Sequence, residues 1–227
     1  MEISLLTFLK LVASGFRKDF KLEFRTRYAV NAILLFAVIA LSAVSFAVGP
    51  QGINERLGAS FFWVVLFFSA MSGLSHIFVR EIEQKTDLLL KLYLDTSIIF
   101  WSKFLFNIVL LFLLELVIVP LFFFWFQLEI HFILLFFTSL FLGTIGLATV
   151  STLVAGMIAQ TGSKSALFAV LSFPILLPLI IIGIKITSNC FLGIRMDEII
   201  SLHLTLLSYD GVMLIVSPFL FKYIWRS

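Results

Sequence analysis

The chain reads as an all-α polytopic membrane protein, with six transmembrane helices preceded by an N-terminal interfacial amphipathic helix. Three observations predict this. Hydrophobic residues fill 61% of the 227 positions and charged ones only 13%, with a mean hydropathy of +1.14, whereas soluble domains hold roughly 45–50% apolar residues. A water-soluble fold of this size cannot hide so much apolar surface. The apolar residues also fall into six runs, each near the length of about 20 residues that a helix needs to cross a hydrocarbon core ~30 Å thick. The basic residues lie unevenly between those runs, as they do in proteins oriented by the positive-inside rule.

The first element, residues 1–27, sets Leu5, Phe8, Leu9, Val12, Phe16 and Phe20 at helical spacing, with Arg17, Lys18, Lys21 and Arg25 beside that stripe. Such a helix lies in the membrane interface, its apolar face in the acyl chains and its cations among the headgroups. The alternative is a polybasic topology signal with no helix. Met1 to Val12 carries Glu2 and Lys10 and runs into basic residues instead of a small-residue cleavage site, so no cleaved signal peptide is expected.

Residues 28–227 form the six-helix transmembrane domain. Its spans run at about Tyr28–Val48, Gly58–Val79, Phe104–Phe126, Phe132–Ala159, Ala166–Ile186 and Leu202–Phe221. Lipid leaves no backbone group unpaired, so runs this long and apolar must be helical. Of the sixteen Lys and Arg residues, all but Arg56, Lys185 and Arg195 fall on one side of this arrangement, which predicts a bacterial inner-membrane protein with both termini cytoplasmic.

The longest cytoplasmic stretch, about 80–103, opens with Arg80, Glu81, Glu83, Lys85 and Asp87 and continues into Leu88–Leu90. It is helix-forming and mixed in charge. A second, short cytoplasmic turn spans about 160–165, with Gln160 and Lys164. Both suit docking of a soluble partner, and both also fit plain solvated connectors. On the outer side the longest loop is expected at Thr187–Ser201, with Cys190, Arg195, Asp197 and Glu198.

Covalent chemistry finds no machinery here. The chain has no phosphate-cradling Gly-Lys loop, no Gly-x-Ser-x-Gly elbow and no His-Glu-x-x-His helix, so ATP hydrolysis must reside on a separate chain. The lone Cys190 excludes an internal disulfide and a Cys-only metal site. His76, His131 and His203 lie far apart in sequence near span ends, without metal-ligand spacing, although the last two lie on the outer side where a haem or metal could reach them. A net charge of +3 is too small and scattered for nucleic acid.

Inside the spans, Glu115 and Asp210 sit at depth, where an ionisable group faces the bundle interior or a partner. At least one should avoid lipid; each either serves transport or stays protonated and bonded to a neighbouring helix. Pro174 and Pro178 share a helix face four residues apart, and each frees a carbonyl one turn earlier, which predicts a bent or locally unwound segment. It is either a static kink or, with Gly183, a hinge. Gly143, Thr144, Gly146, Ala148, Ser151, Thr152, Ala155 and Gly156 form a small-residue run that lets helices approach closely.

Three stretches together resemble the CcmB-type permeases, or haem exporter protein B, of cytochrome c maturation. They are Gly49-Pro50 with Gly58-Ala59-Ser60-Phe61-Phe62-Trp63; Phe78-Val79-Arg80-Glu81 with Asp87–Leu94 and Trp101-Ser102-Lys103; and Gly143-Thr144-Ile145-Gly146-Leu147 with Phe173–Gly183, which is similar to the family's Leu-Pro-x-x-x-Pro-x-x-Ile-Phe-Gly signature. Ser217-Pro218-Phe219 also fits. The chain departs from the family at Ser75-His76 and Gln84-Lys85 and in the outer loop.

The resemblance implies the permease subunit of an ABC transporter that works with a CcmA-type ATPase and with CcmC-type and CcmD-type membrane proteins. ATP hydrolysis on the partner then helps to hand over haem at the outer face, with haem as transient cargo and no covalently bound cofactor. Arg80, Glu81, Glu83, Asp87, Gln160 and Lys164 would meet the ATPase, and the Pro174/Pro178 segment would move. Two other functions share this plan: an ABC-2-like export permease for lipid, glycan or drug, and a non-transporting membrane scaffold.

Overall fold

A computed structural model describes residues 4–49, 52–74, 78, 81, 92–161, 166–194 and 196–226. The expected contacts at His76, Arg80, Glu83, Asp87, Lys164 and Arg195 lie outside the described residues, as does the side chain of Gln160. Among the described residues the chain forms seven long helices and no strand: α1 Leu5–Thr26, α2 Tyr28–Val48, α3 Glu55–Leu74, α4 Thr96–Phe126, α5 Ile133–Thr161, α6 Ala166–Leu192 and α7 Met196–Arg226. The last six are long and apolar enough to cross a membrane.

A single residue separates α1 from α2. Arg27 adopts a left-handed conformation, φ 53°, donates its N–H to the Glu23 carbonyl and turns the chain sharply into the first span. Just before it, the Glu23 carboxylate accepts the Val30 N–H at 3.0 Å, so a buried acid caps the open first turn of α2 and meets the positive end of its dipole. The boundary at residue 27 therefore has a conformational and an electrostatic cause.

α3 and α5 occupy the centre of the bundle. α3 packs on α2, α6 and α4, while α5 packs on α7, α6 and α4. α1 lies against α4, where Gly15 is essential to the approach: a Cβ there would stand 2.8 Å from the Ser102 Cβ. The small-residue run of α5 serves contacts within the chain on several faces. Gly143 abuts Trp63 of α3, Gly146 abuts Leu179 of α6 and Asp210 of α7, and Gly156 abuts Phe221 of α7.

Three expectations need correction. The outer loop at Thr187–Ser201 is almost entirely helix, because α6 continues to Leu192 and α7 starts at Met196. Ile186, Cys190, Phe191 and Ile199 are buried and extend the apolar faces of those helices past the point where Lys185, Asn189, Asp197 and Glu198 lower the average hydropathy. The α6–α7 turn is closed by Gly193 at φ 66° and by His131, whose Nδ1 donates to the Phe191 carbonyl at 2.7 Å. The third span begins at Thr96 instead of Phe104, so the end of the expected coupling segment is the first two turns of α4. Lastly, α6 runs unbroken through Pro174 and Pro178, so the segment is not unwound. Tyr209 donates its hydroxyl to the Ile175 carbonyl between them at 2.7 Å, which ties this stretch of α6 to α7.

Candidate functional site

Two polar constellations stand out in the bundle, and each joins stretches far apart in sequence. The first lies where α1 crosses α4. Lys103, on the second turn of α4, has a side chain only 3% exposed. Its Nζ reaches Glu81 Oε1 at 2.6 Å and Asp19 Oδ1 at 3.0 Å. Lys18, on α1, approaches the same two oxygens at 2.6 Å and 3.7 Å.

Among the described residues, two ammonium groups and two carboxylates thus form a cluster in which the charges balance. Neutrality matters because an isolated charge would cost several kcal/mol to bury, and the mutual attraction offsets that cost only where both signs are matched and bonded. The Phe78 ring, with its centroid 5.4 Å from Lys103 Nζ, adds a cation–π face. Burial pushes the Glu81 carboxyl up, but the attraction and hydrogen bond of Lys103, followed by those of Lys18, outweigh it and hold the group below the usual carboxylate range.

The local sequence explains the geometry. Asp19 and Glu23, one helical turn apart, are the buried polar residues of α1, beside Val12. The apolar stripe expected for that helix therefore shares its buried side with two acids. Gly15, one turn before Asp19, lets the α1 backbone come close enough to α4 for Asp19 to reach Lys103. Glu81, expected on an open docking surface, is 5% exposed and points into the protein. The sequence reading noted Lys103 but not Asp19; the signal was there in two acids with four-residue spacing on the apolar side of an otherwise basic helix.

The second constellation centres on Trp63 of α3, 1% exposed. Its indole lies between glycines of two other helices: a Cβ on Gly183 would be 2.5 Å from its Cε2 and Cζ2, and a Cβ on Gly143 would also collide with the ring. The indole Nε1 donates to Thr187 Oγ1 at 2.8 Å. Gly183, expected as a hinge, is thus a close-packing position between α6 and α3.

Between the two constellations runs a ladder of buried polar contacts on α4. Asn107, one turn beyond Lys103, donates Nδ2–H to Thr152 Oγ1 of α5 at 2.8 Å. Two turns further, Glu115 accepts from Thr144 Oγ1 of α5 at 2.5 Å. Asp210, 2% exposed on α7, faces Gly146, and among the described residues neither of its carboxyl oxygens has a hydrogen-bond partner. Both intramembrane acids therefore avoid lipid. They differ in that Glu115 is bonded to a neighbouring helix and Asp210 is not.

The histidines offer no shared ligand set. His203 places Nδ1 2.8 Å from the Ile199 carbonyl and Nε2 3.0 Å from the Leu135 carbonyl, so both ring nitrogens are engaged. Among the described residues no three His, Cys, Asp or Glu side chains converge. The arrangement can hold helices together, or shift them.

A comparison with curated proteins finds no match. The family model described as CcmB protein matches residues 10–226, a range that takes in both constellations, from Asp19 to Thr187. The residues that suggested the resemblance also meet in space, Glu81 with Lys103 and Trp63 with Gly143 and Gly183. This chain accordingly belongs to the CcmB family, the multi-pass inner-membrane permeases of the haem-export system that matures c-type cytochromes.

Proposed function

We propose that this permease is the moving membrane part of its transporter, driven from the cytoplasm by a CcmA-type ATPase and acting beside CcmC-type and CcmD-type membrane proteins to hand haem over at the outer face. Haem is transient cargo, and ATP is held by the partner. Both termini and the charge cluster face the cytoplasm, in keeping with the distribution of Lys and Arg. The ATPase meets the segment that includes Arg80, Glu83 and Asp87, together with the turn at Gln160 and Lys164.

The observation that carries this reading is the buried cluster of Lys18, Asp19, Glu81 and Lys103. It ties the docking segment, through Glu81, to α1 and α4 at once. A push on that segment therefore moves α4, and α4 is pinned to α5 by Asn107–Thr152 and Glu115–Thr144. α5 in turn packs on Trp63, which holds α3 to α6. The Pro174/Pro178 stretch of α6 is the part of the wall that bends in response. Two packings of these helices, biased by nucleotide state on the partner, are sufficient for such a machine.

The test is complementation of a strain lacking this chain. Glu81→Gln removes the charge link without the repulsion that Glu81→Lys would create beside two lysines. The ATPase is expected to copurify with the variant and to hydrolyse ATP, while covalently haem-bearing cytochromes fall at least tenfold. Normal maturation in both Glu81→Gln and Lys103→Met strains would overturn the coupling role.

A further inference from the structure

α1 sorts its charges by sign. Its two acids, Asp19 and Glu23, turn inward to Lys103 and to the start of α2, whereas Lys10, Arg17, Lys21, Arg25 and Arg27 are exposed. Among the described residues none of Lys10, Arg17 and Lys21 has an ion-pair partner. They are spaced seven and four residues apart and so share one helix face. There they rim a shallow recess of about 480 Å³, with Ala13, Ser14 and Lys18 as its other lining residues. Small side chains at 13 and 14 leave room between the cations, and the Ser14 hydroxyl adds a donor.

Beside this recess lies a second exposed strip that is apolar. Leu6 is 72% exposed, Leu9 54% and Phe24 53%, and the Phe20 ring lies tilted against that of Phe24, centroids 4.4 Å apart. Cations that border an exposed apolar strip match the boundary between headgroups and acyl chains. An acidic protein surface would match the cations but would leave the strip in water.

We infer that the outward face of α1 is a binding site for anionic phospholipid, with Lys10, Arg17 and Lys21 contacting headgroup phosphates and Leu6, Leu9 and Phe24 lying in the acyl region. The site is independent of the ion cluster, since Lys18 alone is common to both and its ammonium is already paired with Glu81. Which leaflet it reads rests on the cytoplasmic placement of α1 proposed above.

The full chain reconstituted in nanodiscs of phosphatidylcholine with a minor fraction of phosphatidylglycerol tests it. Bound lipid is counted by native mass spectrometry after mild release, and hydrogen exchange follows the α1 amides. The wild type should retain phosphatidylglycerol over phosphatidylcholine and protect α1 more as the anionic fraction rises. Retention should weaken roughly fivefold for each cation removed, so the variant Lys10→Gln/Arg17→Gln/Lys21→Gln should lose the preference with its thermal midpoint unchanged. Equal retention of anionic lipid by wild type and variant would overturn the inference. So would an unchanged lipid preference accompanied by loss of ATPase copurification, which would assign this face to the protein partner. Nanodisc leaflets are identical, so failure here does not touch the orientation; labelling of a Ser14→Cys variant in sealed vesicles reports that separately.

Discussion

Substituting Lys103 by methionine keeps most of the side chain's volume and removes its charge. Two carboxylates, 7% and 8% exposed, would then keep Lys18 of the cluster, which is 43% exposed, bonded to Glu81 at 2.6 Å and 3.7 Å from Asp19. Removing one partner from a buried pair costs about 3–5 kcal/mol because the remaining charge stays in low dielectric. Lys18 still serves Glu81, so the expected cost is at the lower end, about 3 kcal/mol. The assay is unfolding of the purified chain by SDS in mixed micelles. The control is Lys103→Met/Asp19→Asn/Glu81→Gln, in which only the partly exposed Lys18 of the cluster keeps its charge; it should recover to within about 1 kcal/mol of wild type, because a neutral replacement of a buried ionic group is often nearly silent. If the single variant matched wild type, the cluster would contribute no stability. If the triple variant were as damaged as the single, the cause would be lost packing against Phe78 and not stranded charge.

Acidity should act on the same cluster with a defined sign. Glu81 is held below the ordinary value of 4.5, so its contribution is complete at neutral pH and is lost as the pH falls below that value through the folded pKa. The stability difference between wild type and Glu81→Gln should stay level from pH 7 to 5.5 and narrow only below about 4.5; narrowing already between pH 7 and 6 would reverse the assignment. At the Trp63 junction, Gly183→Ala should cost about 1–3 kcal/mol by overpacking, and most of that cost should vanish in a Trp63→Phe background, as expected for residues in direct contact. An additive pair would mean that the collision is relieved elsewhere. Within the bundle, Thr144→Val removes the donor of Glu115 and should cost about 1–3 kcal/mol, whereas Asp210→Leu breaks no hydrogen bond and should be neutral or stabilising; a large penalty at Asp210 would reveal a donor bound there.

The spans were legible because each is a local average. Tyr28–Val48 coincides with its helix to the residue, as Arg27 and Gly49 bracket a run without a charged residue. Where helices extend beyond the hydrocarbon, the average misled. Asp197 and Glu198 look like loop residues, yet they occupy the first turn of α7, where acids complement the helix dipole. Glu81 looked like a surface charge, since no window around it contains Lys103 or Lys18.

Composition and charge distribution alone determined that this chain lives in lipid and has six spans to cross it. Those properties follow from transfer free energies, which belong to single residues and add along the chain. Which polar groups meet was decided only by tertiary structure: Asp19 pairs with Lys103 across 84 positions and Trp63 with Thr187 across 124. In a span that is apolar on every side, hydropathy cannot choose the inward face. Close approach at glycine and the need to match every buried charge make that choice, and both are properties of helix pairs.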